Sequence, residues 1–229
     1  GWTPVNLAAQ EGNHELVRVL ANKGANLDLM TKNGVASGMT PVFMAAQNDH
    51  HEVVRVLAEN GANLDLMDKN GYTALYRAAQ NGHHKVVGVL ADNGANLDLA
   101  HEDGATPVFA AAQNGHHEVV RVLADKGASL DLTDKRGAFP VFMAAQNGHH
   151  EVVRILHQYK ARLHDRAKNG TTSLHAAAYH GHLDVVRYLA RHGADIARLT
   201  DRGRSALTAA RDGGHTSGVV SLLEAVESA

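Results

Sequence analysis

The sequence predicts an all-α solenoid of stacked helix-turn-helix units, and three observations support this prediction. First, a Thr-Pro-like position recurs at Thr3, Thr40, Thr73, Thr106, Phe139, Thr172 and Ser205, so the spacing is 37 residues once and 33 residues five times. Second, Gly-Ala pairs recur in step with it. Third, one helix pair cannot bury its apolar face alone, whereas stacked pairs bury a continuous core.

Residues 106–128 illustrate how each unit is predicted to fold. Thr106 suits the N-cap of a first helix, and Pro107 suits the first helical position, where its missing N–H costs nothing. Gly115 ends that helix. A second helix covers HHEVVRVLADK, which places valine and leucine on one apolar stripe. Gly127 ends the second helix because glycine readily adopts a positive φ.

The period divides the chain of 229 residues into a single domain of seven units. Their approximate bounds are 1–32, 33–69, 70–102, 103–135, 136–168, 169–200 and 201–229. Serine and glutamate residues are scattered through the last helix, which predicts that the final unit caps the stack. The abrupt start predicts that the chain is an excised fragment.

Composition excludes several classes of function. The chain has no cysteine, which excludes disulfides, thiol catalysis and cysteine metal sites and fits a reducing compartment. The formal net charge is −2, so no basic excess predicts nucleic-acid binding. The chain has no apolar run of about 18 residues and no signal-peptide pattern. We therefore expect an intracellular protein, cytoplasmic or nuclear, that binds neither nucleic acid nor membrane.

The segment TSLHAAAYHGHLDVVRYLARHGAD at 172–195 resembles an ankyrin repeat. That family's pattern begins Thr-Pro-Leu-His and continues through Ala-Ala, Gly-His, an acidic-Val-Val run and Gly-Ala-Asp. The resemblance extends over 1–227. It implies two antiparallel helices and a projecting β-turn finger per unit, with a concave recognition surface formed by the fingers and first helices. It thus implies a non-catalytic protein-interaction domain, which we expect to be a monomer that binds a protein or an extended peptide.

The fourth position of the Thr-Pro-Leu-His motif departs from the family. It holds Asn6, Phe43, Tyr76, Phe109, Phe142, His175 and Thr208. The family histidine makes hydrogen bonds around the turn, which aromatic hydrocarbon rings cannot reproduce. Because adjacent helices lie about 8–10 Å apart, we expect the four aromatic rings to pack from unit to unit as a buried ladder. Partly exposed contacts with a partner are the alternative.

Two further departures lie in the connections between units. Four extra residues at 35–38 lengthen one finger, which either neutral drift or a partner contact would explain. Lys160 stands where Gly127 stands one unit earlier, and a non-glycine residue in the left-handed conformation costs about 1 kcal/mol. We therefore expect a reshaped turn at Lys160. The basic patch at 160–168, formed by Lys160, Arg162, Arg166 and Lys168, is either a solvated loop or a contact for an acidic partner.

The histidine pairs do not predict a metal site. They fall at His50-His51, His83-His84, His116-His117 and His149-His150. Neighbours in sequence do not share a helix face, and equivalent histidines in adjacent units lie about 8–10 Å apart. Two zinc–nitrogen bonds of about 2.1 Å span only about 4 Å. We therefore expect structural roles for these rings and no bound metal.

No motif predicts catalysis. HEVVR resembles the HExxH zinc-protease motif, but Arg55, Arg121 and Arg154 occupy the position of its second histidine. The recurring Asp65, Asp98 and Asp131 are 33 residues apart and do not converge on one substrate. Catalysis needs different groups at one point, whereas a regular stack spreads identical groups along a line. We expect neither enzyme activity nor a cofactor.

The resemblance places the partner contacts on the fingers and at the ends of the first helices. The predicted contact residues are Asn70, Tyr72, Gln80, Asn81, Asp103, Gln113, Asn114, Arg136, Gln146, Asn147, Tyr179, His180 and Arg204. Tyr72 and Tyr179 are the best aromatic anchors. The Gln-Asn pair is unchanged in four units, either through recent duplication or because it binds a repetitive ligand.

The alternative function is a targeting or substrate-positioning module. The catalytic domain would then lie elsewhere in a larger enzyme or secreted effector, such as a bacterial effector acting in a host cell.

Overall fold

The computed structural model describes residues 1–31, 38–215 and 217–227, and within them it confirms the all-α repeat fold. Each unit contributes a first and a second helix. The first helices are α1 (Pro4–Gln10), α3 (Pro41–Gln47), α5 (Ala74–Asn81), α7 (Pro107–Gln113), α9 (Pro140–Gln146), α11 (Ser173–Tyr179) and α13 (Ala206–Asp212). The second helices are α2 (His14–Asn22), α4 (His51–Glu59), α6 (His84–Asp92), α8 (His117–Asp125), α10 (His150–Gln158), α12 (Leu183–Arg191) and α14 (Val219–Glu227). Residues 35–37 of the finger insertion lie outside the described residues.

The helices form two layers. Each first helix packs on the first helix of the next unit, and each second helix packs on the next second helix. Valine, alanine and leucine fill the space between the layers as one continuous core, in which Ala45, Val53 and Leu57 are fully buried. Burying one such valine or leucine side chain contributes about 1.5–3 kcal/mol.

The first helices begin as predicted. The Thr106 hydroxyl accepts a hydrogen bond from the Phe109 N–H at 3.3 Å, and Pro107 occupies the first turn. The same cap forms at Thr40 and Thr73. Phe139 makes no side-chain cap; its ring is buried instead, at 2% exposure. Unit five therefore exchanges a capping hydrogen bond for apolar burial.

The first histidine of each pair links consecutive units. Nε2 of His116 lies 2.9 Å from the carbonyl oxygen of Gln80, the penultimate residue of α5. A carbonyl only accepts, so Nε2 carries the proton and satisfies an oxygen near the helix end, where carbonyls lack intrahelical partners. The same contact joins His50 to Gln10, His83 to Gln47, His149 to Gln113, His182 to Gln146 and His215 to Tyr179. The structural interpretation of this histidine is confirmed.

The histidine contact also explains the glycine before the pair. Gly82 has a φ of 83°, and a Cβ placed there would lie 2.8 Å from Nδ1 of His116. Glycine therefore favours both the backbone conformation and the close approach of the next unit's ring. It is not strictly required, because Asp49 adopts a φ of 61° at the equivalent position of unit two and His83 still contacts the Gln47 carbonyl at 3.1 Å.

The recurring aspartate forms a second link between units. Asp65 accepts a hydrogen bond from the Asn96 N–H at 2.9 Å, and Asp98 accepts one from the Ser129 N–H at 2.9 Å. Asp28 and Asp131 make the equivalent contacts with the units that follow them. These carboxylates therefore hold the ends of the second helices in register.

The fingers are also joined from unit to unit. Each is a tight turn, and a backbone N–H of one finger donates to a carbonyl of the preceding finger. These bonds run from Lys135 to Asp103 at 2.7 Å, from Lys168 to Arg136 at 3.2 Å and from Asp201 to Asn169 at 3.2 Å. The fingers of units four to seven therefore form one continuous surface beside the first helices.

The turn at Lys160 is not reshaped, contrary to the prediction. Lys160 has a φ of 65°, close to the 85° of Gly127. The hydrogen bond from the Ala161 N–H to the Leu156 carbonyl is 2.9 Å long, and the bond from Ala128 to Leu123 in the unit before is 3.0 Å. A Cβ at Gly127 would meet nothing within 4 Å, so a side chain fits here and only the backbone strain remains.

The two ends of the stack differ. Helix α14 exposes Ser221 and Glu224 at one end. At the other end, the exposed side chains are Leu7, Leu16 and Val19, whose counterparts in unit two, Met44, Val53 and Val56, are buried. The first unit therefore presents to solvent the apolar surface that internal units bury against their predecessors.

His175 keeps the bonding that the family resemblance implies. Its Nε2 lies 3.0 Å from the carbonyl oxygens of both Arg198 and Arg204, and its Nδ1 lies 2.7 Å from the Thr172 hydroxyl. Asn6 makes similar bonds in unit one: its oxygen accepts the N–H of Thr3 and its amide nitrogen donates to the Leu29 carbonyl. Asparagine can therefore replace this histidine in the turn.

We expect Lys160→Gly to raise the free energy of unfolding by about 0.5–1 kcal/mol, because glycine adopts a positive φ without the steric cost. Urea denaturation measures the change. Lys160→Ala is the matched control, since it removes the same side chain but keeps the strained backbone, and it should leave stability nearly unchanged. Equal effects of the two substitutions would show that the backbone is not the cause.

We expect the free energy of unfolding to fall as the pH decreases from 7 to 5. Burial lowers the pKa of His175 and of His116. An unfolded histidine titrates near pH 6.5, so below that value the unfolded chain takes up protons that the folded chain does not. Urea denaturation at several pH values measures the slope.

His175→Asn tests the contribution of one ring to this slope. The substitution should preserve much of the turn, because Asn6 makes similar bonds in unit one. It should flatten the decline in stability below about pH 6.5. A slope identical to that of the unsubstituted protein would exclude His175 as a source of the pH dependence.

Candidate partner-binding face

The aromatic residues at the fourth position of the Thr-Pro-Leu-His motif are buried in the middle of the stack, and the last of them is partly exposed. The rings of Phe43, Tyr76 and Phe109 are buried, as predicted, whereas Phe142 is only half-buried. Tyr76 and Phe109 belong to a small apolar cluster that Met143 of the next unit completes. Phe142 packs against the edge of the same cluster, and the small Ala176 stands one unit later at the position that Met143 occupies.

Two adjoining hollows lie against Phe142. One has a volume of about 340 Å³ and lies between α9, α11 and α13, and the other has a volume of about 520 Å³ and lies between α7 and α9. They share Phe142, Gln146 and Asn169 in their walls. The remaining lining comes from fingers and first helices, so both hollows open on the same face of the stack.

Tyr72 is not a free aromatic anchor. Its ring stacks on the ring of His101 with centroids 4.3 Å apart, and the guanidinium of Arg77 lies 4.5 Å from its centroid. The ring of Tyr76 lies 5.0 Å away, and burial raises the pKa of that tyrosine to about 12. In unit three these four side chains therefore pack together in the region that corresponds to the open region around Phe142 in unit five.

The fingers of units three and four are also occupied by internal contacts. The Asn70 carbonyl lies 2.9 Å from Nε2 of His101, and the Asp103 carboxylate accepts the Ala105 N–H at 2.9 Å. Burial alone would raise the pKa of Asp103, but the Ala105 N–H and the His101 ring hold it below its ordinary value. These groups stabilise the turns themselves.

The asparagines of the Gln-Asn pairs are helix caps. Asn114 donates to the Ala110 carbonyl of its own helix at 2.8 Å, and Asn147 donates to the Gln113 carbonyl of the preceding unit at 2.9 Å. The equivalent donors are Asn48 and Asn81. Conservation of these asparagines between units therefore has a structural explanation that requires no ligand.

The glutamines differ from one another. The side-chain oxygen of Gln80 accepts a hydrogen bond from Arg77 at 2.6 Å. Gln113 and Gln146 instead line the hollows, and no side-chain hydrogen bond is present at either residue within the described part of the chain. Their amides are available to a ligand.

Tyr179 and His180 form the far wall of the smaller hollow. Tyr179 is 46% exposed, and its ring meets that of His180 edge-on with centroids 5.1 Å apart. Burial lowers the pKa of His180, and the nearby His182 and His215 lower it further. His180 therefore favours the neutral form at neutral pH.

The predicted basic patch is divided between several contacts. Arg162 pairs with Asp131 at 3.3 Å, and Arg166 pairs with Asp201 at 2.9 Å. Of the four cations in the patch, Lys168 lines a hollow. The patch is therefore not a single free surface.

The structure separates the predicted contact residues into two groups. Those that line the hollows are Gln113, Arg136, Gln146, Tyr179, His180 and Arg204. Those occupied by contacts within the protein are Asn70, Tyr72, Gln80, Asn81, Asp103, Asn114 and Asn147.

Sequence reasoning predicted a buried ladder, with partly exposed rings as the alternative, and did not single out Phe142 as the half-buried member. The sequence of the next unit indicates this exposure. The residue that follows Phe142 in the row is His175, which bonds to backbone carbonyls, and its neighbour Ala176 is small. Thr200 lines the smaller hollow as well, and no pattern in the sequence distinguishes it from other finger residues.

None of the helices within residues 1–31, 38–215 and 217–227 combines the length and apolar character needed to cross a membrane.

Comparisons with known proteins agree with this architecture. A family model described as ankyrin repeats (3 copies) matches residues 5–101, 57–134, 97–167 and 141–228. The ankyrin repeat domain of Bcl-3, described as a unique member of the IkappaB protein family, is similar with a TM-score of 0.85 and 29% identity over 98% of this chain and 99% of that chain. The human ASB11 ankyrin repeat domain is similar with a TM-score of 0.84 and 27% identity over 98% of each chain. A search of curated protein sequences finds no match.

Ankyrin repeat domains generally mediate protein–protein interactions, and those similar to this chain are typically non-catalytic modules. The repeated helix pairs, the linked fingers and the matches along residues 5–228 lead to one conclusion: this chain belongs to the ankyrin repeat family.

Proposed function

We propose that the domain is a non-catalytic interaction module that binds an extended segment of a partner protein along the face formed by the fingers and first helices. The two adjoining hollows around Phe142 are the observation that carries this proposal. They offer a partly exposed aromatic ring, unoccupied glutamine amides and continuous walls from four successive units. Apolar side chains with a few placed polar groups are typical of binding sites.

The composition of the face supports binding over catalysis. Tyr179 is an exposed aromatic residue, the type in which interface energy concentrates. The other polar groups around the hollows are amides, cations, the hydroxyls of Thr171 and Thr200, and the rings of His175 and His180, and they are spread over several units. A targeting module of a larger enzyme would use the same face, because that role also requires binding of a protein segment.

We expect Gln146→Ala combined with Tyr179→Ala to reduce recovery of partner proteins at least about tenfold, because both side chains line the hollows. Affinity capture followed by quantitative mass spectrometry measures the recovery. Arg121→Ala combined with Tyr159→Ala is the matched control, since both residues lie on or beside second helices, away from the hollows.

The control variant should recover the same partners as the unsubstituted domain. Circular dichroism should show that both variants are folded. Equal recovery by all three proteins would contradict binding on the proposed face, and recovery of no specific protein by the unsubstituted domain would contradict the interaction function itself.

A further inference from the structure

The walls of the two hollows carry charge of one sign. Of the described residues that line them, none is aspartate or glutamate. The lining cations are Arg136, Lys168, Arg202 and Arg204. The whole chain has 22 basic and 24 acidic residues, so this separation is local and does not follow from composition.

Two of the four cations are free of carboxylates. Lys168 and Arg202 are exposed, and neither has an acidic partner within 4.0 Å among the described residues. Arg136 uses Nε for a 2.9 Å contact with Asp134, and this leaves its four terminal N–H donors facing solvent. Unpaired cations in a concave wall attract anionic ligands more strongly than the same cations on a convex surface.

Arg204 is the fourth cation and is partly neutralised. Its terminal nitrogen lies 3.0 Å from the carboxylate of Asp212. Asp134 is buried beneath its finger, where it accepts the N–H groups of Arg136 and Ala138. Neither carboxylate lines a hollow, so the surface that a ligand would meet is cationic.

The floor between these cations is apolar. Phe142 belongs to both hollows, and Met143 and Ala176 lie on either side of it. The free amide of Gln146 lies in the wall that the two hollows share, and that of Gln113 lines the larger hollow. A carboxamide both donates and accepts, as a peptide backbone requires.

We propose that the two hollows form a binding site for an extended acidic peptide. One apolar side chain of the peptide packs on Phe142, flanking carboxylates approach Lys168 and Arg202, and the glutamine amides bond to the peptide backbone. This inference rests on the proposed interaction function and specifies the partner's chemistry.

Fluorescence anisotropy with a labelled peptide tests the proposal directly. The probe is the sequence DEEDFDEED, titrated with the intact domain. We expect saturable binding that weakens about tenfold or more in the variant Lys168→Glu with Arg202→Glu, because both carboxylate contacts become repulsive. Raising the salt concentration should also weaken binding.

The matched control is Lys23→Glu with Lys85→Glu. It produces the same change in net charge at exposed lysines outside the hollows, and it should change the dissociation constant by less than about twofold. Equal weakening by both double variants would show that net charge alone governs binding and would overturn the site assignment.

Two altered peptides test the other contacts. NQQNFNQQN, which lacks the charges, and DEEDADEED, which lacks the aromatic ring, should each bind at least about fivefold more weakly. Absence of saturable binding of DEEDFDEED up to 1 mM would overturn the proposal. An oligouridylate of equal charge that competes as well as the peptide would also overturn it, since a general polyanion site would explain both.

The two proposals fail in different ways. Partner capture that depends on Gln146 and Tyr179, combined with peptide binding that Lys168→Glu and Arg202→Glu do not affect, would overturn the acidic-peptide site alone. If partner capture did not depend on Gln146 and Tyr179, and peptide binding did not depend on Lys168 and Arg202, both the peptide site and the proposed interaction face would be overturned.

Discussion

Burial of valine, alanine and leucine between successive helix pairs holds every other feature of the molecule in place. A single pair has no partner for its apolar face, and residues such as Val53 and Leu57 become fully buried only within the stack. Each interface is then closed by polar links at two places. A histidine caps the first helix of the preceding unit, and an aspartate accepts an N–H beyond the second helix. The apolar contacts supply stability, and the polar links fix the distance and rotation between units.

The residue at the fourth position of the Thr-Pro-Leu-His motif differs between units, and these differences divide the candidate face into two regions. Polar residues occupy the position in units one and six, where Asn6 and His175 bond to the turn. In unit three Tyr76 stands there, and the rings of Tyr72 and His101 lie 5.0 and 6.2 Å from it. The junction between the two patterns lies at Phe142, which is followed by a polar unit and is left partly uncovered. The hollows are a consequence of this change of pattern.

Much of the fold could be predicted because each unit carries its own local signals. The threonine cap, the proline after it and the glycine with positive φ act within a few residues, so Thr106, Pro107 and Gly127 were assigned correctly. Lys160 was misjudged because the seven-unit stack fixes the turn geometry, and this constraint outweighs a local strain of about 1 kcal/mol.

The candidate site was harder to predict because it depends on contacts between units. Tyr72 packs against Arg77, five residues later, and against His101, 29 residues later at the start of the next finger. The asparagine of each Gln-Asn pair donates a hydrogen bond to a backbone carbonyl, as Asn147 does to Gln113, and no sequence pattern identifies that carbonyl. The free cations Lys168 and Arg202 could be recognised only after the partners of the neighbouring arginines were known. Spacing identifies equivalent positions, but it does not show which of them are already occupied.

The uniform links between units set a constant spacing along the face. Neighbouring helices in such a stack are separated by about 8–10 Å, and an extended polypeptide rises about 3.3 Å per residue. About three residues of an extended ligand therefore span one unit. Because the histidine and aspartate links repeat from unit to unit, this ratio is maintained along the face and does not drift. Successive side chains of an extended strand point to opposite faces, and so do side chains three residues apart. An extended segment lying along this face would therefore present side chains to equivalent positions of every second unit, about six residues apart.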